Sequence, residues 1–320
     1  MSLKIVMMAT GEFALPAFKG LYETHHQMVG LYTQPDRTGR GHHTHANLLK
    51  EFAREKGTNV FQPSNINKPN ALETLRSLNA DIFVVAAYGQ ILSSELLGIP
   101  RLGAINLHGS ILPRHRGAAP VHYAILSGDK ETGVTIFQIE PKVDAGGILG
   151  IVTTKIASDE TTGVLHDRLA ELSFPLLSKV LTDLEQGKAT RTQQEIATVT
   201  LAPKMTKAFG QIDWNQSAFD VANHIRAMDP WPSAFTFLHR PDTPPLRLIV
   251  TSASLIAEEQ KKNQNNKPGQ IIVGEDQRLL VQTKEGAIEI HKLRPAGKRE
   301  MTAEQFLNGH TINNEYCFGE

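Results

Sequence analysis

The first half of the chain alternates short apolar runs with longer segments whose apolar residues recur at helical spacing. LKIVMMA (3–9), MVGLYT (28–33), DIFVVAAYG (81–89), GAINLHG (103–109) and VTIFQIE (134–140) are rich in consecutive Val, Ile, Leu, Met and Phe. Continuous runs of this kind, rather than strict alternation, belong to strands covered by helices on both faces. HANLLKEFAREKG (45–57) has apolar residues at helical intervals and stops on Gly57, a natural helix end. TTGVLHDRLAELSFPLLSKVLTDLEQG (161–187) predicts a long amphipathic helix, with Pro175 inside it predicting a kink or two helices. Together these elements predict an α/β domain built on a mostly parallel sheet.

After Gly187 the texture changes. KATRTQQEIATVTLAPKMTK (188–207) is polar, lacks helical period and reads as a linker. Beyond it, WPSAFTFLHR, PLRLIVTSASLI, GQIIVGED and RLLVQTKEGAIEIHKL are short strands separated by Gly, Pro, Asn and Asp. That pattern predicts a small sandwich or barrel. MTAEQFLNG (301–309) carries a complete helix start, with Thr302 as N-cap, Gln305 closing a capping box and Met301 stapling onto Phe306. KKNQNNK (261–267) reads as a mobile loop.

Composition narrows the class. With 320 residues, 40 % hydrophobic and 21 % charged, the chain fits a soluble protein of two domains. No run approaches the 18 apolar residues of a membrane span, and the amino terminus shows no cleavage pattern. The single cysteine, Cys317, allows no intrachain disulfide, so a cytoplasmic location is expected. The formal net charge is zero, so bulk electrostatics argues for neither nucleic acid nor membrane. The region 191–320 is likewise neutral, with 15 Lys and Arg against 15 Asp and Glu.

The first strand is followed by ATGEF, so a GxGxxG dinucleotide fingerprint is absent there, and no GxxxxGK[ST] phosphate loop occurs. In an open parallel sheet, ligands bind at the carboxyl ends of the strands. That rule selects the turn around Tyr88, the stretch 106–116 and the loop EPKVDAGG (140–147). Asn106 and His108 stand two apart, so on a strand they project to the same side. An amide donor beside an imidazole suits stabilisation of a developing oxyanion. Asp144, before Gly146 and Gly147, closes the group, and a carboxylate there is expected to raise the imidazole pKa. Taken singly, each has an ordinary explanation: a turn cap, a satisfied strand-end histidine and an Asx-turn residue. Their combination, with the stiff SILP run behind them, favours a site.

These residues carry a resemblance that covers almost the whole chain. NLHGSILPRHRGAAP (106–120), followed by SGDKETGVTIFQIEPKVDAGGIL (127–149), resembles the catalytic half of the folate-dependent formyltransferases. TQPDRTGRG (33–41), IDW (212–214), PWP (230–232) and LRPAGKREM (293–301) resemble the branch acting on charged initiator tRNA. Three segments depart from the pattern: MATGEF replaces an A-G-T-P-x-F run, KMTKAFGQIDW lacks an acidic pair, and GHHTHAN (41–47) is unusually His-rich.

The resemblance implies a Rossmann-like catalytic domain over 1–188, a linker over 189–206 and an OB-like C-terminal barrel over 207–320. It implies transfer of the formyl group of 10-formyltetrahydrofolate to the amine of methionine on initiator tRNA, without a metal, by a monomer. Asn106 and His108 are expected to hold the oxyanion, and Asp144 to tune His108 and accept the proton. The folate is expected against Ala87, Tyr88, Gly89, Gln90 and Leu92 on one side and Val143 on the other. Ser110, Ile111, Leu112 and Pro113 would shape its floor, although Tyr88 reads equally as core. Arg37, Arg40, Lys204, Lys207 and Lys298 are the expected tRNA contacts, set against the ordinary reading of a solvated face. His42, His43 and His45 invite a metal reading, but an RNA-contacting loop fits them better. Arg114 and Arg116 stay open between substrate contacts and local anchors. Two other functions remain open: a sugar-nucleotide N-formyltransferase or formyltetrahydrofolate hydrolase, and a non-catalytic RNA-binding protein.

Overall fold

Five of the six residues of the first strand, β1 (Lys4–Ala9), are buried, and that strand anchors a sheet by pairing on both edges. The structure is a computed structural model and describes residues 2–36, 47–256, 267–274, 277–310, 312 and 316–319. Arg37, Arg40, His42, His43 and His45, and the polar run apart from Lys267, lie outside the described residues.

The chain forms two units. The first gathers residues 1–120, 131–155 and 166–203, and the second residues 121–130, 156–165 and 204–320. In chain order the first half contains β1, α1 (Leu15–Leu21), β2 (Gln27–Tyr32), α2 (Leu48–Glu55), β3 (Val60–Phe61), α3 (Pro69–Ser77), β4 (Ile82–Ala86), α4 (Ser94–Leu97), β5 (Ala104–His108), β6 (Arg116–Gly117), α5 (Pro120–Leu126), β7 (Glu131–Gln138), β8 (Ile148–Lys155), α6 (Thr162–Glu185) and β9 (Leu201–Ala202). The main sheet runs β3-β2-β1-β4-β5-β7-β8. Its first five strands are parallel, while β7 and β8 pair antiparallel. β4 is buried at every position, as its Val- and Ile-rich run requires. β8 was not visible in the apolar pattern because only alternate residues of its outer half turn inward.

α2 is capped by the Asn47 side chain and followed by Gly57 at a left-handed φ of +72°. α6 corrects the two-helix alternative, because it runs unbroken through Pro175. An interior proline costs about 3 kcal/mol. Leu169, Leu177, Val180 and Leu181 of this helix are buried, at roughly 1.5–3 kcal/mol each, and outweigh that loss. The Phe174 ring also lies over Gly20 of α1, where any Cβ would fall 2.4 Å from it.

The stretch read as a linker is pinned to the first unit. Ile148 and Thr192 exchange backbone hydrogen bonds of 2.8 and 2.9 Å, and β9 pairs with β6.

The second unit contains α7 (Ala218–Ala227), β10 (Phe235–Arg240), β11 (Thr243–Leu255), β12 (Ile271–Val273), β13 (Leu279–Gln282), β14 (Ala287–Pro295), β15 (Met301–Thr302), α8 (Ala303–Gly309) and β16 (Cys317–Gly319). Its antiparallel order is β12-β13-β14-β11-β10-β16, with β15 added to β14. Gln270, just before β12, bridges Cys317 of β16 and so joins the two outer strands into a barrel. Register shifts between β11 and β14 near Ser252 supply the bend that closure needs. Trp214 of the IDW segment is interior: its indole N–H donates to Thr236 Oγ1 at 3.0 Å, and its ring stacks on Phe318. No helix among the described residues is long and apolar enough to cross a membrane.

The expected capping box at α8 is complete, with Thr302 and Gln305 bonded in both directions. Thr302→Ala is expected to lower the stability of this unit by about 1 kcal/mol, read from urea unfolding.

Candidate active site

β5 leaves the sheet beside the antiparallel switch to β7, and its last residues set the site. Asn106 pairs opposite Phe137 and His108 opposite Thr135, so strand alternation puts both side chains on one side. The Oδ1 atom of Asn106 is buried and has no hydrogen-bond partner among the described residues. A buried amide oxygen without a partner carries a cost in free energy.

His108 is buried, with the Phe137 ring edge-on to its imidazole. Nε2 lies 2.9 Å from the backbone oxygen of His115, and a carbonyl only accepts, so Nε2 carries the proton. In the neutral ring Nδ1 is then a bare acceptor, and it faces Asp144 Oδ2 at 3.7 Å. Burial pushes the imidazole pKa below its ordinary value, against the opposing pull of Asp144. The carboxylate raises the imidazole pKa, as expected, but desolvation outweighs it. The one N–H of the neutral ring is engaged by the His115 carbonyl.

The turn that holds His115 is built from residues 110–116. Ser110 Oγ donates to the Arg114 carbonyl at 2.7 Å, and Thr135 Oγ1 donates to the Ser110 carbonyl at 2.6 Å. The Leu112 amide donates to Thr135 Oγ1 at 3.1 Å, and the Leu112–Pro113 bond is cis. His115 sits at a left-handed φ of +58°, and its amide donates to Thr200 Oγ1 at 2.8 Å. Ser110 and Leu112 are buried, while Ile111 and Pro113 are half-buried.

Asp144 adopts a left-handed φ of +49° in a loop held from two sides. The Gly117 amide donates to its Oδ2 at 2.8 Å. The Gln194 amide donates to the carbonyls of Asp144 and Gly146 at 2.9 and 2.8 Å. Gln194 Oε1 in turn accepts from Arg116 Nε and NH2 at 3.1 and 2.7 Å. Arg116 is therefore a buried local anchor, and Arg114 is exposed. Gly146 permits the loop's approach to β7, because a Cβ there would lie 1.7 Å from the Gln138 oxygen. Sequence reasoning missed Gln194, Thr200, His115 and Thr135. Two of them come from the aperiodic polar segment after Gly187, which gave no sign of where it returns.

The loop after β4 combines exposed and supporting residues. Ala87 and Gly89 are exposed at positive φ, and Ile91 projects with 81 % of its surface open. Tyr88 belongs to the core, and its carbonyl accepts from Gln34 Nε2 at 2.9 Å. Gln90 accepts from the Ile66 amide and donates to the Pro63 carbonyl, while Leu92 is buried. Val143, beside Asp144, is largely exposed. Lys204, Lys207 and Lys298 lie exposed in the second unit.

The chain matches the family model described as formyl transferase over residues 3–181, and that of the formyl transferase C-terminal domain over 204–311. It is 42 % identical to the methionyl-tRNA formyltransferase of Akkermansia muciniphila, covering 96 % of this chain and 97 % of that protein. It is 40 % identical to the enzyme of the same name from Methylococcus capsulatus, covering 97 % and 98 %. Among solved structures, an N-formyltransferase from Helicobacter canadensis, in complex with folinic acid and dTDP-3-aminofucose, shares the fold. Its TM-score is 0.66 at 17 % identity, over 91 % of this chain and 99 % of that one. HypX from Aquifex aeolicus, in complex with tetrahydrofolic acid, has a TM-score of 0.60 at 16 % identity, over 95 % of this chain and 46 % of that one. With both family regions matched in order and relatives at this identity over nearly its full length, the chain belongs to the formyl transferase family.

Proposed function

We propose that this chain transfers the formyl group of 10-formyltetrahydrofolate to the α-amino group of methionine esterified to initiator tRNA. The observation that carries the chemistry is the buried His108, with Nε2–H tied to a carbonyl and Nδ1 bare beside Asp144. The likeness of both units to enzymes named for methionyl-tRNA supports the acceptor.

An α-amino group has a pKa of about 8, so a useful fraction is already nucleophilic at neutral pH. Its nitrogen attacks the formyl carbon and forms a tetrahedral intermediate. The Asn106 amide N–H donates to the oxyanion. His108 Nδ1 takes the proton released by the amine, and the resulting imidazolium is stabilised by Asp144. The bond from the formyl carbon to N10 then breaks, and N10 receives the proton. The products are N-formylmethionyl-tRNA and tetrahydrofolate. Folate lies against the exposed backbone of Ala87 and Gly89 and against Val143, with Ile111 and Pro113 beneath. Tyr88, Gln90, Leu92, Ser110 and Leu112 support that surface from behind. Lys204, Lys207 and Lys298 contact tRNA phosphate, together with Arg37 and Arg40.

The acceptor is tested by supplying 10-formyltetrahydrofolate with either charged initiator Met-tRNA or an amino-sugar nucleotide. Formylation of the tRNA is expected, and formylation of the sugar amine alone would overturn the assignment. Asn106→Ala is expected to lower kcat by about 10²–10³-fold with little change in KM, as for other oxyanion donors. The pH profile tests His108. Because the folded imidazole is held below its usual pKa of about 6.5, its protonation should add no loss of activity near that pH beyond the loss set by the substrate amine, and should show only at lower pH. Asp144→Asn removes the influence that raises this pKa, so the acidic limb of the remaining activity should move to still lower pH. A shift towards higher pH would contradict the pairing.

A further inference from the structure

We propose that His25, His26 and Glu185 form a site for a divalent transition metal, with Zn²⁺ as the fitting ion, apart from the catalytic residues. His25 and His26 occupy the turn before β2, and Glu185 is the last residue of α6. One donor atom from each residue lies within 4.8 Å of the other two. Among the described residues no other three His, Cys, Asp or Glu side chains come together in this way.

The spacing suits coordination. Zn–N and Zn–O bonds of about 2.0–2.1 Å at tetrahedral angles place donors roughly 3.4 Å apart. His25 Nε2 is 3.1 Å from both Glu185 oxygens, so one edge of the tetrahedron is already near that length. The His26 imidazole packs beside that of His25, with ring centroids 4.2 Å apart and planes tilted by 46°. The remaining closure falls to His25, whose side chain is 60 % exposed and can turn, whereas Glu185 is only 12 % exposed. The Leu3 amide reaches His26 Nδ1 at 3.3 Å, a long contact that holds the ring lightly.

The turn is a built one. Ser2 Oγ donates to the His25 carbonyl at 2.6 Å, and Thr24 Oγ1 donates to the Leu21 carbonyl at 2.7 Å. Two imidazoles and one carboxylate are a donor set for Zn²⁺ rather than for Mg²⁺ or Ca²⁺, which take oxygen ligands. Three protein ligands leave a fourth position for water. The ligands lie 160 positions apart in sequence, so a bound ion cross-links the turn before β2 to the end of α6.

The test is Zn²⁺ titration of the full chain in competition with a chromophoric chelator, on the wild type and on His25→Ala and Glu185→Gln. The variants are expected to take up one equivalent less than the wild type. With free Zn²⁺ at about 100 times Kd, the wild-type Tm should rise by about 5 °C and that of either variant should not. Mg²⁺ should produce neither effect. Equal Zn²⁺ uptake and equal Tm shifts in all three proteins would overturn the proposal.

Discussion

The hydrogen bond from His108 Nε2 to the His115 carbonyl is the constraint on which the arrangement of His108 and Asp144 depends. It fixes which nitrogen carries the proton, and so which nitrogen is free to take one. Without it the ring could present either tautomer, and an Nδ1–H facing Asp144 would satisfy the carboxylate in a chemically inert pair. With it, a bare nitrogen and a carboxylate oxygen face each other across 3.7 Å, an arrangement that gains most when a proton arrives. Burial then opposes protonation in the resting state. The two influences act in opposite directions on the same group, and burial is the larger.

That hydrogen bond needs a carbonyl aimed inward from a residue in left-handed backbone, and His115 is held there by distant parts of the chain. Thr200 fixes its amide, and Ser110 and Thr135 fix the turn leading to it. The same returning segment supplies Gln194, which holds the Asp144 loop through two carbonyls while Arg116 holds Gln194. The carbonyl that His108 bonds and the loop that carries Asp144 are thus both held by one stretch, residues 192–202. Backbone strain at Asp144 and His115 persists because these surroundings determine it from several directions.

The sequence made the parallel core legible because buried strands leave continuous apolar runs, as in β1, β4 and β5. It also exposed the helix start at Thr302, where capping chemistry is local. Asn106, His108 and Asp144 stood out because strand ends and glycine-flanked acids are recognisable side by side. Gln194 and Thr200 were illegible for the opposite reason. Their role depends on where an aperiodic segment docks, and a side chain that bonds backbone 48 or 85 residues away leaves no periodic trace. The sign of the His108 shift was unreadable for a similar reason. A neighbouring carboxylate can be inferred from spacing, but the degree of burial that outweighs it is a property of the packed core.

The charge balance over residues 191–320 bears on how this part of the chain would meet a polyanion. A domain with a strong positive field would attract any polyanion and gain affinity at the expense of discrimination. With 15 basic and 15 acidic residues over 191–320, net charge supplies no such field there, and attraction to a polyanion rests on individually placed cations. Lys204, Lys207 and Lys298 are exposed there. Weak general attraction leaves selectivity to placed contacts rather than to bulk charge.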